Sequence, residues 1–132
     1  MTGVEQQSAF EADLLRRSPS CKLYLFDGAH DQPGLEIMND PLLNTRTIFK
    51  PYRLDAVDLA VSTANPETKT FHSILAETGQ TFVDVLKIDV EGAEFDLFKD
   101  IIRRSSGSVL PFGQVLLEIH AWSHTLAEYL EW

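Results

Sequence analysis

Asp27, Asp89, Glu91, Glu118 and His120 stand at or just beyond the ends of apolar runs: KLYLFD over residues 22–27, VDVLKIDVE over 83–91 and QVLLEIH over 114–120. A carboxylate so placed accepts hydrogen bonds from two neighbouring hydroxyls, and an imidazole titrating near neutrality can take a proton from one. Glu118 stands two residues before His120, on the same strand face, and could orient it. Each residue also has a plainer reading. Asp27 before Gly28 is a turn former, Asp89 can cap the turn that follows it, and His120 can be a satisfied structural histidine. Glu94 reads as a helix-dipole partner at a helix start. Lys87 lies between apolar neighbours, so its stem packs while its ammonium pairs with a nearby acid.

The elements that must carry these groups follow from spacing. Val83, Val85, Leu86, Ile88 and Val90 form a nearly continuous apolar run, as in a parallel strand covered on both faces. Gly92 permits a tight exit. From Glu94 onward Phe95, Phe98, Ile101 and Ile102 fall at helical spacing, with acids early and Arg103 and Arg104 late. Strand, acidic turn and helix make one half of a βαβ unit. In open parallel sheets ligands bind beyond the carboxyl ends of the strands, so the polar groups converge on one rim if their strands are neighbours.

Elsewhere, Ser8 and Glu11 have capping-box spacing for a helix over residues 8–17 that buries Phe10 and Leu14. Residues 29–44 carry Pro33, Gly34, Asn39, Asp40 and Pro41 and read as a loop with at most a short helical turn. Residues 47–63 read as one or two strands interrupted by Pro51, with Leu59, Ala60 and Val61 the better-packed piece. Thr70 caps a helix carrying Phe71, Ile74 and Leu75, and Gly79 suits its left-handed end. Ser123 opens a further helix. Phe49, Tyr52, Trp122 and Trp132 are core aromatics before they are pocket walls.

The 132 residues, 44% of them hydrophobic, suffice for one domain with a core. A formal charge of -9 argues against nucleic acid and favours a small or cationic ligand, or serves solubility alone. Cys21 is alone, which excludes an internal disulfide and suggests a buried thiol in a reducing, cytoplasmic setting. No apolar stretch reaches the length of a membrane span. Cys21 has no spaced histidine partner and no serine sits in a nucleophile elbow. Asp89, Glu91, Glu94 and His120 would suit a metal-dependent hydrolase, but no compact zinc-ligand spacing is present, and no metal is expected.

FEADLLRRSPSCKLYLFD, TFHSILAETGQTFVDVLKIDVEGAEF and QVLLEIH together resemble the FkbM-type, methyltransferase-like family, in the order that family has them. The resemblance implies an α/β, Rossmann-like, mostly parallel sheet with flanking helices, here without its first strand and with the last strands in question. It implies a single incomplete domain over residues 1–132, S-adenosylmethionine as cofactor, and O-methyl transfer to a small or carbohydrate-like acceptor. Asp27 would hold the donor's ribose, Asp89 and Glu91 would lie at the sulfonium, and Asp89 and His120 would face the acceptor. Gly3 stands where the family carries a glycine-rich turn. A rival reading is a non-catalytic, truncated relative serving as an interaction module.

Overall fold

The computed structural model describes residues 7–63, 65–120 and 127. Among them the chain alternates helices and strands: α1 (Ala9–Arg17), β1 (Leu23–Phe26), α2 (Leu35–Met38), α3 (Pro41–Asn44), β2 (Thr47–Lys50), β3 (Arg53–Leu54), β4 (Thr68–Lys69), α4 (Phe71–Thr78), β5 (Val83–Ile88), α5 (Glu94–Arg104) and β6 (Phe112–Leu117). No described helix is long and apolar enough to cross a membrane.

Every ladder between these strands is parallel, as expected of strands joined through helices. β1 pairs with β2 (Leu23 opposite Thr47), β3 with β4, and β5 with β6 (Val83 opposite Phe112, Ile88 opposite Leu117). The single sheet expected from the sequence is not formed among the described residues: β1–β2 and β5–β6 are separate two-stranded units. The reason lies in their edges. β1 is hydrogen-bonded only toward β2 and β5 only toward β6, so no described strand joins the inner edges.

Two apolar clusters follow this division. Tyr52, Leu54, Phe71, Ile74, Leu75, Ile88, Val90, Leu97, Phe98 and Ile101 form the larger, beneath α4 and α5. Ala12, Leu15, Leu25, Ile37 and Leu43 form the smaller. Side chains fasten the two halves. Phe26 packs on the larger cluster and stacks on Tyr52, with centroids 5.3 Å apart. Lys87 Nζ of β5 lies 3.1 Å from Glu11 Oε1 of α1, the acid pairing expected for that lysine.

Helix α4 is as expected. Thr70 Oγ1 accepts the Ser73 N–H at 3.2 Å, and Gly79 ends the helix at φ 67°. α1 corrects three expectations. Ser8 makes no side-chain cap; its hydroxyl accepts the Gly34 N–H and its own N–H goes to Glu36, which ties the helix start to α2. Glu11 turns inward to Lys87, so the buried face is Glu11, Ala12 and Leu15, while Phe10 is 46% exposed. Cys21 is exposed, since it lies in the turn before β1 rather than in the strand.

Residues 29–44 hold two short helices instead of a loop. Asp40 caps α3 through the Leu42 and Leu43 N–H groups, and Pro41 occupies the first helical position, where its missing donor costs nothing. Leu59 and Val61 are exposed rather than packed, because Tyr52 and Leu54 take the interior positions of that stretch. In α5, Leu97 is buried and Ile102 is 57% exposed. Trp122, Ser123 and Trp132 lie outside the described residues.

Leu97 is fully buried in the larger cluster and Leu42 is 78% exposed. Leu97→Ala should therefore lower unfolding free energy by about 2–5 kcal/mol. Leu42→Ala should change it by less than about 0.5 kcal/mol. Urea denaturation of the two variants checks the assignment, and equal losses would contradict it.

Candidate functional site

β5 ends at Ile88, and the chain then reverses through Asp89–Ala93 before α5 begins. Glu94, the first residue of α5, has 0% exposure and organises this turn. Its Oε1 accepts the Val90 N–H at 3.0 Å and its Oε2 accepts the Gly92 N–H at 3.0 Å. The turn needs such support because Glu91 and Gly92 both take positive φ, 56° and 102°. Glu94 Oε1 also lies 2.8 Å from His120 Nδ1, just past the end of β6. One buried carboxylate thus locks the β5 turn, the start of α5 and the exit of β6.

His120 is fixed as a result. With Nδ1 donating to Glu94, Nε2 faces Asp89 Oδ1 and Glu118 Oε1, each 3.7 Å away. The imidazole pKa is raised above its ordinary 6.5, chiefly by the hydrogen bond to Glu94, which outweighs partial burial. For Glu94 burial pushes the pKa upward, but the His120 bond and the Val90 and Gly92 N–H groups outweigh it, and the net shift is down from 4.5. Asp89 is shifted up, first by burial and then by the neighbouring Glu118 carboxylate. A carboxylate–imidazole pair of this kind holds one tautomer and stabilises the imidazolium that forms when the ring takes a proton.

Asp27 ends the other pair of strands. Its Oδ1 accepts the Ala29 N–H at 2.7 Å and its Oδ2 lies 2.9 Å from His30 Nδ1, so the plainer turn-forming reading describes what it does locally. A carboxylate has further lone pairs, and one on each oxygen remains for hydroxyls.

Arg53 connects the two ends. It begins β3, directly after β2, and its Cβ lies 3.3 Å from where a Cβ on Gly28 would stand. Its Nη2 donates to the Val90 carbonyl at 3.0 Å. The end of β1 and the end of β5 are therefore one arginine side chain apart. Asp89, Glu118 and His120 do lie together, as their strand ends suggested, but Asp27 does not end a neighbouring strand of the same sheet, because among the described residues β1 and β5 belong to separate two-stranded units. Sequence reasoning missed Arg53, read Glu94 as a dipole partner or a metal ligand rather than as the support of the turn, and assigned nothing to His30. The signal for Glu94 was its spacing four residues after Val90, which lets a carboxylate reach back over a tight turn.

Asp89, Glu118 and His120 each place one donor atom within 4.8 Å of the others, so this trio is where a divalent ion would fit. The protonatable imidazole already offsets part of that negative charge. A groove lined by Arg16, Leu35, Glu36, Asn39, Asp40 and Pro41 shares no residue with this rim. Gly3 lies outside the described residues.

No curated protein and no solved structure matches this chain. A family model does match, that of the methyltransferase FkbM domain, over residues 19–132. That span begins just after α1 and takes in Asp27, Arg53, the Asp89–Glu94 turn and His120. Covering well over half of the sequence, it shows that the chain belongs to the methyltransferase FkbM domain family.

Proposed function

We propose that this chain is an S-adenosylmethionine-dependent methyltransferase domain of Rossmann type, acting on a hydroxyl of a small or carbohydrate-like acceptor. The observation that carries this reading is the Glu94–His120 pair beside Asp89, at the rim that Arg53 ties to the end of β1. Methyl transfer from a sulfonium asks little covalent help of a protein; alignment and exclusion of water suffice. A hydroxyl acceptor adds one requirement, a base.

The residues present fit such a donor in their chemistry. Asp27 retains lone pairs for a vicinal diol, and the Arg53 Nε is buried without a hydrogen-bond partner among the described residues. Burial first, and then the Glu118 carboxylate, raise the Asp89 pKa, and the negative field of these acids favours a positive group. When bound, adenosylmethionine supplies an activated methyl group. Asp27 then holds hydroxyls, Asp89 orients the acceptor, and His120 Nε2 takes the acceptor proton while Glu94 stabilises the imidazolium at Nδ1. An ion at the Asp89–Glu118–His120 trio is not part of this scheme.

A second reading, a non-catalytic interaction module, has one observation in its favour: the inner edges of β1 and β5 are joined by no described strand. Isothermal titration separates the two. The methyltransferase reading expects saturable heat with adenosylmethionine that Asp27→Asn and Asp89→Asn weaken. No heat at millimolar ligand with a folded sample would contradict it.

The paired groups also set a pH dependence. His120 has a raised pKa, so its contribution to stability is full below 6.5 and fades as pH climbs through the raised value. Glu94 has a lowered pKa, so its contribution is full above 4.5 and fades as pH drops through the lowered value. Stability should peak between these limits. Proton NMR titration of the His120 ring should give a pKa above 6.5 that falls toward it in Glu94→Gln. An unchanged titration in that variant would remove the pair from the account. Glu94→Ala, which strands two N–H groups and the imidazole, should cost about 3 kcal/mol in urea denaturation.

A further inference from the structure

Asp27 is held from two directions, and only one of its supports is backbone. The main chain is fixed where β1 ends. The Asp27 N–H donates to the Lys50 carbonyl at 3.2 Å, and a Cβ on Gly28 would stand 3.0 Å from Pro66 Cβ and Cγ, so the chain runs close against that proline. The carboxylate then takes two local donors, the Ala29 N–H on Oδ1 at 2.7 Å and His30 Nδ1 on Oδ2 at 2.9 Å. The first closes an Asx turn, which requires no second partner. The imidazole is an addition to it.

What the imidazole adds is direction. His30 belongs to neither apolar cluster, and among the described residues its one hydrogen bond is the bond to Asp27. A partly exposed pair three residues apart adds little to stability. The Asp27 side chain is only 13% exposed, so a protein donor rather than bulk water sets the plane of its second oxygen. An ionised carboxylate only accepts, so Nδ1 carries the hydrogen of this bond. With a donor on each oxygen the carboxylate cannot turn without losing one of them, and its remaining lone pairs keep a fixed direction.

Resting on the methyltransferase reading above, we propose that His30 is a positioning residue: by holding Asp27 Oδ2 it aims the carboxylate at the vicinal diol of the donor and so sets a preference for ribose over deoxyribose. A contact to two adjacent hydroxyls needs both carboxylate oxygens in a fixed plane. Ala29 alone anchors one oxygen and leaves that plane free to turn, which weakens the bond to the second hydroxyl. The role asks His30 to touch neither the acceptor nor the reacting atoms.

The test is calorimetry on the whole chain with adenosylhomocysteine and its 2′-deoxy counterpart, which differ by one hydroxyl of the diol. The wild type should favour the ribose compound by about tenfold or more. His30→Leu, which keeps bulk and removes the donor, should cut that ratio to about threefold or less, through weaker binding of the ribose compound with the deoxy compound little changed. His30→Asn, whose amide nitrogen stands where Nδ1 does, should restore the wild-type ratio. His30→Ala is the second removal variant, read if His30→Leu does not fold. A ratio unchanged on removal, an equal loss for both compounds, no rescue by His30→Asn, or failure of both removal variants to fold overturns the proposal and leaves His30 closing a turn. Binding by the wild type without a ribose preference also defeats this proposal alone. No binding of either compound by the wild type defeats the underlying methyltransferase reading, and this proposal with it.

Discussion

The rim depends on one buried carboxylate. Glu94 is closed off from solvent, yet it stays ionised because two backbone N–H groups and an imidazole converge on it. Burying a charge is costly unless it is fully hydrogen-bonded, and here the same bonds that meet the cost also shape the site. They hold two consecutive residues at positive φ, start α5, and fix the His120 tautomer with Nε2 toward Asp89. A glutamine could keep some of these bonds but not the charge that lifts the imidazole pKa.

A second constraint operates between the halves of the molecule. β1–β2 and β5–β6 are distinct parallel pairs, so convergence of their ends is not a consequence of backbone ladders. It rests on side chains: Arg53 reaching from beside Gly28 to the Val90 carbonyl, Phe26 stacked on Tyr52, and Lys87 paired with Glu11. Such links are less cooperative than a ladder. Binding that bridges Asp27 and the Asp89 turn would therefore stabilise the relative placement of the halves as well as occupy a site.

Much of this was legible in the sequence wherever a local rule acts. The Thr70 cap, the Gly79 end, the β5 run and the buried face of α5 through Ile101 all follow from short-range spacing. The departures arise where a distant partner decides. Ser8 and Glu11 have the spacing of a capping box, but Gly34 claims the hydroxyl and Lys87 the carboxylate, so the helix turns a different face inward. Asp40–Pro41 reads as a turn from composition and as a helix start once its donors are placed. Leu59 and Val61 follow the pattern of a packed strand, yet Tyr52 and Leu54 hold the interior. Arg53 was invisible because its value lies in joining two strand ends that are far apart along the chain.

Family membership and local geometry then meet at one place. The methyltransferase FkbM domain match spans the residues that line the rim, and the rim gathers Asp89 and Glu118 around an imidazole held by a buried carboxylate. The groove between α1 and the α2–α3 turn offers a different location for a small molecule. Chemical-shift mapping of the labelled chain during titration with adenosylhomocysteine distinguishes them directly. The account predicts that the largest changes fall on Gly28, Val90, Gly92 and His120 together. Changes centred on Arg16, Glu36 and Asn39, with those four resonances still, would contradict it.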